Sequence, residues 1–276
     1  MGFPAKAWNW RDRVADPSMT AKLVLDWVRL LRDWPRFLIA RLAALDFVEV
    51  HLRNGLRFLV RPRTMDLDIL CEVILDDIYG RPEWRLPSSP TIVDIGAHIG
   101  AFSVMAASRW PSSHITSYEP HPDNFRLFTA NLRNNECQNV TPVQLAVAAE
   151  SGVGRLSSFL GMNTGAPSLK KDSGDSAEVS TISLEAILKQ VHGPVDLLKV
   201  DCEGSEYEIL ESLSPQSRNR IMRVAVELHA ILGISAIEGV ERIRRLFAND
   251  GFVVSDLHKT RPNSQLLYAW QNSGAC

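Results

Sequence analysis

What this 276-residue chain lacks narrows its class first. It holds no apolar run approaching the length of a membrane span, so no transmembrane segment is expected. Neither charge dominates: 30 Lys and Arg stand against 32 Asp and Glu, which leaves no global basic field to attract nucleic acid. The four cysteines, Cys71, Cys137, Cys202 and Cys276, form no CxxC pair, an argument against a zinc site and for reduced thiols. The opening stretch MGFPAKAWNWRDRVADPS has no apolar core of the kind a secretory signal carries. Together these absences give the expectation of a cytoplasmic, soluble protein. With 45% hydrophobic and 22% charged residues, there is enough apolar mass for a sizeable core.

What is present falls into two patterns. From about Ser18 to Leu45 apolar residues recur near helical spacing (Leu23, Trp27, Leu30, Leu31, Trp34, Leu38, Leu42), and Pro35 should kink or divide the helix. Arg29, Arg32, Arg36 and Arg41 occupy other positions, and the helix is expected to pack on the core or on a second subunit rather than on a membrane. Alternating segments FVEVHL and LRFLVRP flank Asn54-Gly55, a hairpin signature. A further amphipathic helix, MDLDILCEVILDDIYG, should close at Gly80, ahead of the Pro-rich joint RPEWRLPSSP. Residues 1–88 therefore read as an N-terminal helical and hairpin cap, and 89–276 as the main domain. In that domain TIVDI, HITSYE, VTPVQLA, VDLLKVD and MRVAVELH alternate with helices starting near Ala101, Pro122, Leu184, Ser205 and Ala236. The closing strands FVVSDL and QLLYAW should pair antiparallel. This is an α/β pattern: a doubly wound, mostly parallel seven-stranded sheet with an antiparallel edge hairpin. The Gly- and Ser-rich stretch Gly152–Ser180 breaks the rhythm and reads as a lid.

The first strand ends in Asp94-Ile-Gly-Ala-His-Ile-Gly100. A dinucleotide turn would read G-x-G-x-x-G, with amides brought against a pyrophosphate. Here His98 stands where a middle glycine is expected, and an acid precedes the turn. That arrangement suits an ammonium better than a phosphate, which argues against an NAD(P)-dependent oxidoreductase. Glu119, ending the second strand, suits two ribose hydroxyls. A nucleoside joined to a cationic amino acid, S-adenosylmethionine, meets both conditions.

VDIGAHIGAFSV, YEPHPDNF, LAVAAESG and LLKVDCEGSEYEIL resemble successive signature blocks of the FkbM family of S-adenosylmethionine-dependent methyltransferases, and TMDLDILCEVILDDIY resembles the segment before its core. The resemblance implies a class I methyltransferase (Rossmann-like) sheet and O-methylation of sugar or polyketide hydroxyls, with a small hydroxylated acceptor and a role in natural product biosynthesis. It implies further that Asp94, Gly96, Ala97 and His98, with Gly100 closing the turn, line the methionine end. Glu119 would take the ribose, and Ala146 and Val147 would flank the adenine. His98 departs from the Asn common in the family. Oxygen as the methylated atom rests on this resemblance, so N-methylation stays open.

In LLKVDCEGSEYEIL, Lys199, Asp201, Glu203 and Glu206 gather at a strand end and helix start. Three carboxylates need a neutralising partner: Lys199, His229, or a divalent ion such as Mg²⁺ held by Asp201 and Glu227. Glu206 also reads as a capping acid. Glu227 and His229, two apart on one strand, share a face. His229 or Asp201 is expected to take the acceptor proton, with Glu203 and Glu227 orienting the acceptor or a metal. Cys202 reads as a small core thiol. The N-terminal helices are the expected site of any homo-oligomer contact.

Overall fold

The computed structural model describes residues 17–157, 176–231, 236–255, 258–261 and 264–271. The chain enters through α1 (Pro17–Leu30) and α2 (Trp34–Leu42), divided as expected near Pro35. Pro35 sits in the first turn of α2, where a missing N–H removes no helical bond. Strands β1 (Val48–His51) and β2 (Arg57–Val60) form the Asn54-Gly55 hairpin. Helix α3 (Asp66–Leu70) runs into a π-helical turn, Cys71–Leu75, so the predicted helix stops short of Gly80. The residues freed by that early stop, Ile78 and Tyr79, become walls of the site.

The main sheet contains β3 (Thr91–Ile95), β4 (His114–Tyr118), β5 (Val140–Val143), β9 (Leu197–Val200), β10 (Arg223–His229), β11 (Phe252–Val254), β12 (His258–Arg261) and β13 (Ser264–Gln271). Its order is β11-β13-β10-β9-β3-β4-β5, with β12 paired to β13. The five strands from β5 to β10 run parallel, and β13 is antiparallel to both neighbours. The sheet thus has the seven expected strands and an eighth short one, and β13 inserts between β10 and β11. Pro142 is tolerated because β5 is an edge strand, where a ladder donor can be missing. A second correction concerns VTPVQLA: the chain leaves the sheet after Val143, and β6 (Ala146–Ala148) joins β7 (Gly152–Ser157) and β8 (Ser176–Ser183) in a small sheet of order β6-β8-β7. Strands β7 and β8 are the arms of the expected lid; its remainder lies outside the described residues.

Both faces of the sheet are covered, which is why its central strands are almost wholly apolar. One buried cluster joins Ile92 and Leu197 to α4 (Ala101–Arg109) and α5 (Pro122–Asn134), and also to Leu30, Phe37, Val50 and Phe58 of the N-terminal elements. The cap and the sheet therefore share one core across residue 88. The other cluster packs Val93, Leu198 and Val226 under α6 (Leu184–Gln190), α7 (Glu206–Glu211) and α8 (Ala236–Asn249).

The chain reverses direction across the sheet between β3 and β9, leaving a crevice at their carboxyl ends. At that switch point Asp94 and Lys199 are register partners, both buried. Lys199 Nζ lies 3.2 Å from Asp94 Oδ1 and donates to the Gly96 carbonyl at 2.6 Å. Ser103 donates to Asp94 Oδ2 at 2.6 Å. Burial works against the Lys199 ammonium, yet Asp94 and Asp201 beside it hold its pKa above the ordinary lysine value. Removing one member of such a pair strands the other charge in the core. Lys199→Met, close in volume, is expected to lower unfolding stability by about 3–5 kcal/mol in denaturant titrations. A loss under about 1 kcal/mol would show that the pair does not hold the switch point.

Candidate active site

The turn after β3 is shaped by close approach. Gly96 has φ +78°, and a Cβ there would lie 1.8 Å from the Asp201 carbonyl oxygen. Gly100 has φ +88°, and a Cβ would meet the Phe128 ring at 2.3 Å. His98 takes the left-handed conformation (φ +53°) that its residue type tolerates. The amides of Gly96 and Ala97 both donate to the Tyr118 carbonyl at 3.0 Å, and the His98 amide donates to Glu119 Oε2 at 2.8 Å. These three N–H groups of the turn are therefore occupied inside the protein.

Glu119, just past β4, is buried; its Oε1 accepts from the His121 amide at 2.9 Å and from Asn124 Nδ2 at 3.4 Å. Burial pushes its pKa up to about 7, against the pull of these hydrogen bonds. The turn is braced from the N-terminal segment, which the sequence did not reveal. Arg61 pairs with the fully buried Asp66 at 2.7 Å and donates to Asn124 Oδ1 at 2.9 Å. His98 Nε2 lies 3.6 Å from Asp66 Oδ1. Burial lowers the His98 pKa to about 4 against that carboxylate, so the imidazole is neutral at pH 7.

These groups open on a single cleft. Gly96, Ala97, His98, Glu119, Ala146 and Val147 line it on the β3–β4 side, and Lys199, Asp201, Glu203 and Glu227 on the β9–β10 side. Most of the expected site residues are thus brought together. Gly100 shapes the turn from behind, against Phe128. Asp94 is a correction: its carboxylate turns inward to Lys199 and Ser103 and is absent from the cleft wall, because Lys199 rises beside it from the adjacent strand. Cys202 is half-buried, and burial beside Glu206 and Asp201 raises its thiol pKa well above the usual range, in line with an unreactive thiol. Tyr79 was missed. Its hydroxyl donates to Asp201 Oδ2 at 2.8 Å, with Glu227 Oε2 at 3.3 Å as the other acceptor, and its ring lies 5.1 Å from Lys199 Nζ. Ser264 donates to Glu227 Oε1 at 2.5 Å. They lie 122 and 37 residues along the chain from the acids they touch, and no local motif announces them.

His229 is the second correction. Its Nδ1 lies 2.9 Å from Glu206 Oε1, and its Nε2 lies 3.4 Å from Glu203 Oε2 and 3.9 Å from Glu227 Oε1. Burial disfavours the imidazolium, but Glu206, Glu203 and Glu227 raise the pKa well above the ordinary histidine value. Acids that favour the imidazolium work against His229 as a proton acceptor, and its ring is not among the groups that line the cleft. Glu206, fully buried, accepts from the amides of Cys202 at 2.9 Å and of Gly204 at 2.9 and 3.0 Å. It therefore caps the loop that precedes α7. Asp201, Glu227 and His229 could each offer one donor atom within 4.8 Å of the others. They do not fit a resident Mg²⁺: the ion favours oxygen ligands, whereas one of the three donors is an imidazole nitrogen and Tyr79 and Ser264 already donate to the two acids.

The methyltransferase FkbM domain family matches residues 94–254, more than half of the chain. Methyltransferase sdnD of Sordaria araneosa is 27% identical over 216 residues, covering 67% of this chain and 81% of that protein. The 31-O-demethyl-FK506 methyltransferase FkbM of Streptomyces tacrolimicus is 27% identical over 194 residues, covering 59% and 74%. Among solved structures, methyltransferase FkbM from Methylobacillus flagellatus KT aligns with a TM-score of 0.46 at 15% identity, covering 93% of this chain and 60% of that one. The matched span takes in the β3 turn, Glu119 and the Asp201–His229 group, and the strand order is that of a class I methyltransferase sheet. The chain belongs to the FkbM methyltransferase family and is a methyltransferase.

Proposed function

We propose that the enzyme is an S-adenosylmethionine-dependent O-methyltransferase whose acceptor is a hydroxyl of a small metabolite, a sugar or glycoside, or a polyketide-type natural product. One observation carries the reading: the Gly96, Ala97 and His98 amides of the β3 turn are bonded within the protein, and the turn abuts a buried carboxylate on an open cleft. A carboxylate accepts two vicinal ribose hydroxyls, whereas a pyrophosphate would find these three amides taken and the Glu119 carboxylate beside it. Ala146 and Val147 supply an apolar flank for adenine, and the Gly96–His98 turn borders the amino-acid end. The sulfonium supplies an electrophilic methyl group. The Streptomyces tacrolimicus relative is named for an O-demethyl acceptor, which supports oxygen over nitrogen here.

The acceptor hydroxyl must lose its proton as its oxygen bonds to carbon. With both His229 ring nitrogens turned to carboxylates, the accepting group is Asp201, which lies in the cleft and is held by Tyr79 at 2.8 Å. Lys199, 3.9 Å from Asp201 Oδ2, fixes that carboxylate without competing for the proton, because it stays charged. Tyr79 and Phe102, in edge contact at 5.7 Å, close the cleft on the α4 side and help hold the acceptor in line with the methyl group.

Two outcomes test this. Only ionised Glu119 can accept both ribose hydroxyls, and it ionises as pH rises through about 7. The affinity for S-adenosylhomocysteine in titration calorimetry is therefore expected to rise from mildly acid to mildly alkaline pH and then level. Glu119→Gln should flatten that profile and weaken binding by about 10–100-fold; a flat wild-type profile would remove Glu119 from the ribose. Asp201→Asn is expected to lower kcat by about 10²–10⁴-fold while the chain still binds S-adenosylhomocysteine. Unchanged turnover in that variant would take Asp201 out of the proton transfer.

A further inference from the structure

Helix α2 is apolar on two opposite sides, and the core uses only one. Phe37 and Ala40 are buried against the sheet. On the opposite side Leu38, Ile39 and Leu42 face solvent, Ile39 at 66% and Leu42 at 77% exposure. At about 3.6 residues per turn these three form one outward stripe. Trp34 begins the ridge, and Leu45 and Phe47 extend it beyond the helix, all exposed. A helix apolar all round belongs in an apolar environment on both sides, and a contiguous exposed patch of this kind marks an interaction surface.

The charge around the ridge is as uneven as its hydropathy. Residues 17–64 hold nine Lys and Arg against four Asp and Glu, whereas the whole chain holds 30 against 32. Arg29, Arg32 and Arg36 are exposed along the ridge, with Asp46 at its far end. Asp33 is turned away to His51 at 3.0 Å.

We propose that this ridge seats the protein on an anionic membrane surface. Helix α2 lies in the plane of the interface, Leu38, Ile39 and Leu42 enter the boundary between headgroups and acyl chains, and Arg29, Arg32 and Arg36 face lipid phosphates. Two features favour a lipid layer over a second copy of the chain. A two-fold dimer through these helices would set a basic segment against itself. A protruding row of aliphatic side chains suits a soft layer, which needs no complementary groove. No described helix is long and apolar enough to cross the membrane, so the contact is peripheral. The sequence pattern had favoured the core or a second subunit; the structure gives the core one side of α2 and leaves the other to this surface.

Co-sedimentation of the full chain with vesicles tests the proposal. Pelleting is expected with vesicles of phosphatidylcholine mixed with phosphatidylserine, weakening as salt is raised, and little with phosphatidylcholine alone. Ile39→Asp combined with Leu42→Asp changes exposed side chains only, so circular dichroism should be unaltered while partitioning falls about tenfold or more. Arg32→Glu with Arg36→Glu should also weaken it. The proposal is overturned by no pelleting with anionic vesicles at any lipid concentration, or by pelleting that the Ile39 and Leu42 changes leave intact. It is equally overturned by light scattering that shows a dimer which those changes dissociate, since the second copy is then the occupant.

Discussion

A carboxylate and an ammonium facing each other across two adjacent buried strands organise the rest of this molecule. Asp94 on β3 and Lys199 on β9 are register partners where the sheet reverses, in a place with little access to water. Neither charge is tolerable there alone, so the two strands are fixed in relative position. Lys199 Nζ also donates to the Gly96 carbonyl and lies 3.9 Å from Asp201. One ammonium therefore sets the path of the turn on one side of the crevice and the position of a carboxylate on the other. Gly96 completes the arrangement, because any side chain there would collide with the Asp201 backbone.

The same logic distributes the other acids. Glu203, Glu206 and Glu227 converge on His229, and the cation they create makes their clustering possible. Glu119 is held by amide donors, and burial leaves it poised near neutrality. In the function proposed above, Glu119 is the carboxylate for a diol and Asp201, held by Tyr79, the one for an incoming hydroxyl. Internal cations perform the neutralisation that the sequence left open to a divalent metal.

Much of this was legible in the residues. TIVDI and VDLLKVD read as strands from their apolar runs, and both form them; His98 read as standing where a glycine is expected, and it takes the left-handed conformation a glycine would. VTPVQLA read as one strand because an apolar pattern does not say which sheet a strand joins; the departure after Val143 depends on β8, far along the chain. Asp94 read as facing the ligand because an acid at a strand end looks the same whether its partner is a ligand or a lysine beside it. Lys199 was visible in the motif, but the register that pairs it with Asp94 was not. Tyr79 and Ser264 carry no signature, since their roles arise only where the π-helical turn and β13 meet the strand ends. His229 was placed correctly on its strand, but its charge depends on three acids whose convergence only the fold supplies.

The arrangement is tested most directly by a crystal structure of the chain with S-adenosylhomocysteine bound. The result expected is both ribose hydroxyls on Glu119, with Asp94 and Lys199 still joined to each other behind the turn. A ribose bound elsewhere, or an Asp94 carboxylate swung out to meet the amino group of the ligand, would contradict it.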